Sequence, residues 1–232
     1  MEPILESYGL SKSYGGFMAL NNVNLTFNRG RIIGLLGPNG SGKSTFLKLI
    51  NGLLVPTSGA IRINGVAPGE QSRLTVSYLP ERTYLPDNLT VRSIVDFFND
   101  FYSDFDRKKA AEMLSRLNLN PDSNLKTLSK GNKEKVQLIL VMSRNAQLYC
   151  LDEPIGGVDP AARDYILNTI LSNYNRNATI LISTHLIQDI ETILDDVIFI
   201  QNGTITLYAP AEEIRQQQGK TIDAYFREVF RC

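Results

Sequence analysis

A nine-residue, glycine-rich segment at positions 37–45 carries the residue types that bind the phosphates of a nucleotide. An apolar run at 32–36 precedes it and apolar residues at helical spacing follow it, so it joins a strand to the start of a helix. Glycine lets backbone N–H groups turn towards phosphate oxygens, and the helix N-terminus adds unpaired donors. The segment consists of Gly37, Pro38, Asn39, Gly40, Ser41, Gly42, Lys43, Ser44 and Thr45.

Two side chains distinguish this segment from an ordinary glycine-rich turn. The ammonium group of Lys43 can reach the β- and γ-phosphates, and the hydroxyl group of Ser44 can ligate Mg²⁺. An ordinary turn between a strand and a helix requires neither residue after its last glycine. We therefore predict that the chain binds a nucleoside triphosphate, with Mg²⁺ as cofactor.

Three further candidates follow apolar runs at 148–151 and 179–182. Asp152, at the end of the first run, can hold Mg²⁺ through its water shell, and Glu153 can polarise the water that attacks the γ-phosphate. His185, the single histidine, follows the second run, and ligands bind at the ends of parallel strands. Read alone, the two acids also fit ordinary strand ends, and a lone histidine is more often structural.

The bulk composition excludes several classes of protein. Basic and acidic residues balance at 24 each in 232 residues, which disfavours a nucleic-acid partner because such surfaces carry a basic excess. Two cysteines make no disulfide framework and fit a reducing cytoplasm. No apolar stretch reaches the about 18 residues that span a bilayer. We therefore expect a partner to supply any membrane span.

The order of apolar patterns predicts an α/β fold with a mixed sheet and an antiparallel β part near the N-terminus. We treat 1–232 as a single domain whose core is 1–81 plus 145–232, with a helical subdomain, 82–144, inserted between the halves. The pattern predicts strands at 4–10, 23–27, 32–36, 60–63, 76–79, 148–151 and 179–182, and a hairpin whose Asn-Gly turn is 202–203. It predicts helices at 43–51, 91–105, 107–117, 130–143, 160–172 and 186–194.

A pentapeptide at 128–132, Leu-Ser-Lys-Gly-Asn, opens the third helix of the subdomain. With the phosphate loop and the Asp-Glu pair, it makes the whole chain resemble the ATP-binding subunit of an ABC transporter, a P-loop NTPase with a RecA-like core. The family pattern is Leu-Ser-Gly-Gly-Gln, so Lys130 and Asn132 are departures. The resemblance implies that Ser129 and Gly131 contact the γ-phosphate. Ser129 is equally a plain helix N-cap.

The same resemblance implies roles for residues elsewhere in the chain. Tyr14 stands where the family stacks an aromatic ring on adenine, and His185 where it senses the γ-phosphate. Glu81 replaces a glutamine that contacts Mg²⁺ and the attacking water; we expect its carboxylate to bind the metal and to repel the γ-phosphate without it. The loop 155–159 corresponds to the one that meets the opposite subunit, although Asp159 before Pro160 also fits an N-cap.

The resemblance implies an ATPase that works as a head-to-tail dimer, as a homodimer or with a related cassette, with ATP held between the subunits. An integral-membrane permease is the implied partner, which places the chain at the cytoplasmic face of the cell membrane. The segments 78–81 and 128–131 resemble a branch that energises exporters of drugs, peptides or bacteriocin-like molecules. Export is therefore expected rather than uptake.

One aromatic residue of the subdomain has no place in its predicted core. One helical face, which suffices for that core, carries Ile94, Phe98, Phe101 and Phe105. Phe97 lies off this face. Our hypothesis is that Phe97 lines the groove that receives a helix of the permease, and local packing is the alternative.

Three other functions are weighed against the transporter ATPase. A soluble ABC-type ATPase of DNA repair or translation would carry a coiled-coil insertion or two cassettes, and a P-loop small-molecule kinase would not need the pentapeptide. A weakly hydrolysing regulator stays open because Glu81 and Lys130 are atypical.

Overall fold

The structure, a computed structural model, describes residues 2–156, 158 and 160–230. Its first sheet has three antiparallel strands in the order β2–β1–β4, where β1 is Leu5–Tyr14, β2 is Phe17–Phe27 and β4 is Ser58–Ile63. The β1–β2 turn contains Gly15 and Gly16, whose φ angles of 52° and 96° suit glycine. Both strands are longer than predicted because they stay paired, through register shifts, up to this turn.

The second sheet consists of β3 (Ile32–Leu36), β5 (Val76–Leu79), β6 (Leu148–Asp152), β7 (Thr179–Thr184), β8 (Asp196–Gln201) and β9 (Thr204–Pro210). These six strands lie in the order β5–β6–β7–β3–β8–β9. The first five are parallel, and β9 is antiparallel to β8 after the predicted turn at Asn202 and Gly203, so the mixed sheet is confirmed. The carboxyl ends of the parallel strands meet at one edge, which is where such sheets bind ligands.

Nine α-helices lie in the described part of the chain, together with a short 3-10 helix at Leu125–Thr127. They are α1 (Lys43–Ile50), α2 (Glu70–Arg73), α3 (Val91–Phe101), α4 (Arg107–Arg116), α5 (Lys130–Met142), α6 (Pro160–Asn173), α7 (Ile187–Ile190), α8 (Ala211–Gln218) and α9 (Ile222–Phe230). The sequence did not predict α2. Helix α7 is shorter than predicted because the chain turns into β8, and the backbone N–H of Asp195 binds the carbonyl oxygen of Ile32.

Buried apolar side chains form two clusters that cover the two faces of the six-stranded sheet. One cluster joins the three-stranded sheet and α1 to residues such as Ile33 and Leu35, and the other joins α3–α9 to residues such as Leu36 and Leu151. Alternating side chains of β3 therefore enter opposite clusters, as a strand covered on both faces requires. The division at 81 and 145 stays a prediction, since the second cluster continues from the inserted helices into the sheet.

The predicted core face of α3 was wrong for one of its four members. Ile94, Phe98 and Phe105 are buried, whereas Phe101 is 66% exposed. Phe101 lies one turn after Phe97, and the two rings stack with their centroids 6.0 Å apart. The helix ends at Phe101 because Tyr102 is extended, so Phe105 reaches the core from outside the helix.

Candidate active site

The glycine-rich loop connects β3 to the N-terminus of α1, as predicted. Two of its glycines are required by close packing: a Cβ at Gly37 would lie 2.3 Å from the carbonyl oxygen of Ile200, and one at Gly42 would lie 2.5 Å from that of Ala19. Gly42 also has a φ angle of 111° and is the N-cap of α1. The start of α1, with its free N–H donors, is thereby held at the edge where the parallel strands end.

Lys43 is buried, and its ammonium group folds back over the loop. The Nζ atom donates to the carbonyl oxygens of Gly37, at 2.7 Å, and Pro38, at 3.2 Å. Burial lowers the pKa of Lys43, and this effect is opposed by the nearby carboxylates of Glu153, Asp152 and Glu81. The lysine is thus a cation placed among three acids, within reach of the loop that can hold phosphate.

Asp152 ends β6 and is only 2% exposed. Its Oδ1 atom accepts a hydrogen bond from the hydroxyl group of Ser183, at 2.5 Å, and another from that of Ser44, at 3.3 Å. Burial raises the pKa of Asp152 above its ordinary value, and the neighbouring carboxylates of Glu153 and Glu81 raise it further. A buried carboxylate of this kind is stabilised by a cation.

Glu153 follows β6 in a left-handed backbone conformation with a φ angle of 51°, which is uncommon for a residue other than glycine. Its backbone N–H donates to the carbonyl oxygen of Ser183, at 2.9 Å. Its Oε2 atom lies 3.0 Å from Nδ1 of His185, which follows β7. The turn therefore directs the carboxylate of Glu153 towards the end of the neighbouring strand, where the exposed imidazole meets it.

These residues surround a cleft of about 470 Å³. Most of the predicted site residues line it together, and Asp152 contacts it through its bond to Ser44. The lining residues that the sequence predicted are Tyr14, Asn39, Gly40, Ser41, Gly42, Lys43, Ser44, Thr45, Glu81, Glu153 and His185. The cleft can hold a phosphate chain along the N-terminus of α1, with a carboxylate and an imidazole at one end.

Ser129 and Gly131 are not part of this cleft. They are exposed at the beginning of α5, where the hydroxyl group of Ser129 accepts a hydrogen bond from the N–H of Asn132, at 3.3 Å. The structure therefore shows Ser129 as an N-cap. Its predicted contact with a nucleotide stays a prediction, and Asp159 lies outside the described residues.

The residues present fit Mg²⁺ in their chemistry. Ser44 and Asp152 supply oxygen ligands beside the phosphate loop, and Glu81 adds a carboxylate at the cleft. No group of three or more His, Cys, Asp or Glu side chains in the described residues forms a self-sufficient metal site. The ion would thus need oxygens from the nucleotide and water, as Mg²⁺ in nucleotide sites does.

Sequence reasoning missed three residues around this site. Phe17, after the β1–β2 turn, lines the cleft with Tyr14. Ser183 binds Asp152 from the next strand, and Gln137 of α5 holds the segment that carries Glu81. Phe17 could have been found from the sequence because it is close to Tyr14 along the chain. The contact of Ser183 with Asp152 joins residues 31 positions apart, and the contacts of Gln137 join residues about 55 positions apart, so no local pattern indicates them.

No helix within residues 2–156, 158 and 160–230 combines the length and the apolar character needed to cross a bilayer.

Comparison with known proteins gives a consistent result. Residues 20–156 match the family model described as ABC transporter. The chain is 31% identical over 229 residues to the ABC transporter ATP-binding protein YtrB of Bacillus subtilis (strain 168). This match covers 97% of the present chain and 78% of YtrB. It is 31% identical over 204 residues to the Nod factor export ATP-binding protein I of Rhizobium sp. (strain N33). That match covers 84% of the present chain and 67% of the relative.

A solved structure of an ATP-binding subunit of an ABC transporter has a TM-score of 0.89 and 31% identity, and the match covers 98% of this chain and 99% of the other. The chain therefore belongs to the family of ABC transporter ATP-binding proteins. It is an ATPase domain with a P-loop fold, which binds ATP and serves a membrane transporter. The predicted family, fold class and ATPase activity are confirmed.

Proposed function

We propose that this chain powers export across a membrane, from the cytoplasmic face, by binding and hydrolysing ATP between two cassettes. One observation carries the two-cassette arrangement. Lys43, Glu153 and His185 line the cleft at the phosphate loop, whereas Ser129 and Gly131 are exposed outside it. A second cassette, turned head to tail, would bring its own pair to the nucleotide, so that ATP joins the two subunits.

Within one cassette, each part of the cleft has a proposed task. The backbone of 37–45 and Lys43 bind the phosphates, and Tyr14, which is 44% exposed at the cleft wall, stacks on adenine. Glu153 accepts a proton from the attacking water, and His185 orients the carboxylate of Glu153. Ser44, Asp152 and Glu81 would hold Mg²⁺, which supplies charge neutralisation to the phosphates when bound.

A separate apolar groove is the proposed docking site for the permease. It has a volume of about 690 Å³ and lies among α1, β5 and α3. Four of its lining side chains are large, apolar and strongly exposed: Leu53, Tyr84, Phe97 and Phe101. Exposed apolar side chains gathered in one concave surface favour a partner, so the hypothesis for Phe97 is retained and now includes Phe101.

The charges around this groove indicate the chemistry of the helix that it takes. Lys48, Arg73 and Arg82 line it, as does Arg144, whose guanidinium group binds Asp104. The described lining includes no carboxylate. We therefore propose that the permease inserts an amphipathic helix with an apolar face and acidic flanks.

Export, rather than uptake, is supported by the segments 78–81 and 128–131 and by the similarity to the Nod factor export protein. The second candidate, a weakly hydrolysing regulator, rests on the atypical residues Glu81 and Lys130, and the structure bears on Glu81. This carboxylate adds negative charge beside Asp152 and Glu153, which opposes a γ-phosphate that arrives without its metal.

Turnover by the purified chain separates these two functions. If the chain powers transport, it should hydrolyse Mg²⁺-ATP steadily, and this rate should fall by about 10²- to 10⁴-fold in Glu153→Gln. A wild-type chain that binds Mg²⁺-ATP without hydrolysing it favours the regulator, and equal hydrolysis by both proteins contradicts the role of Glu153.

A further inference from the structure

A buried glutamine of α5 holds the segment 80–84 from both ends. The Nε2 atom of Gln137 donates to the carbonyl oxygen of Pro80, at 3.1 Å, and its Oε1 atom accepts from the backbone N–H of Tyr84, at 3.3 Å. Gln137 is only 2% exposed. One amide therefore pairs the first carbonyl group of this segment with its last N–H group.

The segment has little else to fix its backbone. Sheet pairing of β5 ends at Leu79, and residues 81–84 are all exposed. Among the hydrogen bonds of the described residues, those from Gln137 are the only ones made by the backbone of 80–84. The conformation of this segment thus depends on one side chain from a distant helix.

Gln137 is a polar side chain in an otherwise apolar, buried stretch of α5, which indicates that its amide has a specific use. It is the single polar residue in the buried stretch 136–142, between Val136 and Leu138. Burying an amide is unfavourable unless its donors and acceptors are paired, and an apolar residue would pack there without that requirement. The structure pairs both ends of this amide with a single segment, so anchoring that segment is the evident use of the residue.

The anchored segment contributes to both of the proposed surfaces. Glu81 lines the nucleotide cleft, and Arg82 and Tyr84 line the apolar groove. Helix α5, which carries Gln137, begins next to Ser129. Gln137 lies eight positions after Ser129, which corresponds to about 12 Å of rigid helix, so a displacement at one end is transmitted to the other.

We infer that Gln137 is a positioning residue, which couples the beginning of α5 to the placement of Glu81 and of the groove wall. This inference rests on the proposed function, because it assigns Glu81 and Ser129 to nucleotide sites. Gln137, Glu81 and Glu153 also line one small cavity of about 30 Å³, so the glutamine lies close to both acidic residues. Closure of α5 on a partner's nucleotide would then place Glu81 in its working position.

A matched control exists on the same helix, where a second buried bond joins α5 to β5. The hydroxyl group of Ser77, in β5, donates to the carbonyl oxygen of Val141, in α5, at 2.9 Å, and Ser77 is also 2% exposed. This bond joins α5 to β5 just before the anchored segment, and neither of its atoms belongs to residues 80–84. Ser77→Ala therefore reports a loss of α5–β5 bonding alone.

The test compares Gln137→Met, which keeps the length and volume of the side chain, with Ser77→Ala and the wild type. The readouts are amide hydrogen exchange at Tyr84, melting temperature, and kcat and KM for Mg²⁺-ATP. In Gln137→Met we expect exchange at Tyr84 to rise and kcat to fall, each by about tenfold, which corresponds to one or two net hydrogen bonds. We expect KM to stay within about twofold, because the phosphate loop is unchanged.

Ser77→Ala is expected to lower the melting temperature while leaving exchange at Tyr84 and kcat near wild type. Wild-type exchange and kcat in Gln137→Met would overturn the inference, as would equal losses of kcat in both variants. If the wild type does not hydrolyse ATP, the proposed function fails instead, and faster exchange at Tyr84 still decides whether Gln137 anchors the segment.

Discussion

The Nδ1 atom of His185 lies 3.0 Å from the Oε2 atom of Glu153, although the two residues are 32 positions apart in the sequence. They follow neighbouring parallel strands, β7 and β6, whose carboxyl ends meet at the edge that also holds the phosphate loop. The backbone N–H of His185 donates to the same oxygen, at 3.4 Å. The imidazole can therefore fix the direction of the carboxylate that we propose as the general base.

Replacing His185 by alanine tests this positioning role. We expect kcat of His185→Ala for Mg²⁺-ATP to fall by about 100-fold, because a misdirected base loses much of its catalytic effect. Nucleotide affinity, measured by equilibrium binding, should change little, since the phosphate loop and Tyr14 are untouched. Turnover within twofold of wild type would contradict the role of His185.

The raised pKa of Asp152 predicts a pH-dependent stability of the nucleotide-free, metal-free protein. The folded chain binds the proton of Asp152 more tightly than the unfolded chain does. Stability from this residue therefore decreases as pH rises from the ordinary aspartate pKa through the raised one. Asp152→Asn removes that cost and keeps an oxygen that accepts from Ser183 and Ser44.

We therefore expect Asp152→Asn to melt at a higher temperature than wild type at pH 7 in a chelating buffer. The difference should shrink towards pH 4, where the wild-type carboxyl group becomes protonated. Mg²⁺-ATP should stabilise the wild type more than the variant. A variant that melts below wild type at pH 7 without metal would show that burial of this carboxylate carries no cost.

The parts of the site that the sequence predicted are those encoded locally. The loop 37–45 and the pair at Asp152 and Glu153 each lie within a few residues of an apolar strand, so their spacing fixes where they emerge. The parallel sheet then brings separate strand ends together by a general rule. Tyr14 and Glu81 reached the prediction through family resemblance, whereas His185 was a candidate from its strand end and received its role from the resemblance. The cleft brings all three beside the loop.

Features that depend on distant partners were not predictable. Gln137 is an ordinary helix-forming residue, and only the fold shows that its amide is buried against residues 80–84. Phe101 shares the helical spacing of core residues, but α3 ends there and its ring stacks on Phe97 in the groove. Helical periodicity identifies which residues share a face and does not identify where the helix ends.

The apolar groove predicts a variant that separates assembly from hydrolysis. Phe97 is 56% exposed, so Phe97→Ser should leave the fold and the ATPase of the isolated chain near wild type. Co-purification with the membrane subunit from detergent-solubilised membranes should decrease by about tenfold or more, because aromatic anchors dominate interfaces. Tyr8→Ser, a change of a 50% exposed aromatic residue in β1, is the control and should assemble normally. Normal assembly of Phe97→Ser would eliminate the docking hypothesis.

The central claim is that ATP joins two cassettes, and the mass of Glu153→Gln in solution tests it most directly. This variant keeps the phosphate loop, Ser129 and Gly131 but should not cleave the nucleotide. With saturating ATP and Mg²⁺, light scattering coupled to size-exclusion chromatography should give the mass of two chains. Without nucleotide, the same measurement should give the mass of one chain. A variant that binds ATP and still elutes with the mass of one chain would contradict the account.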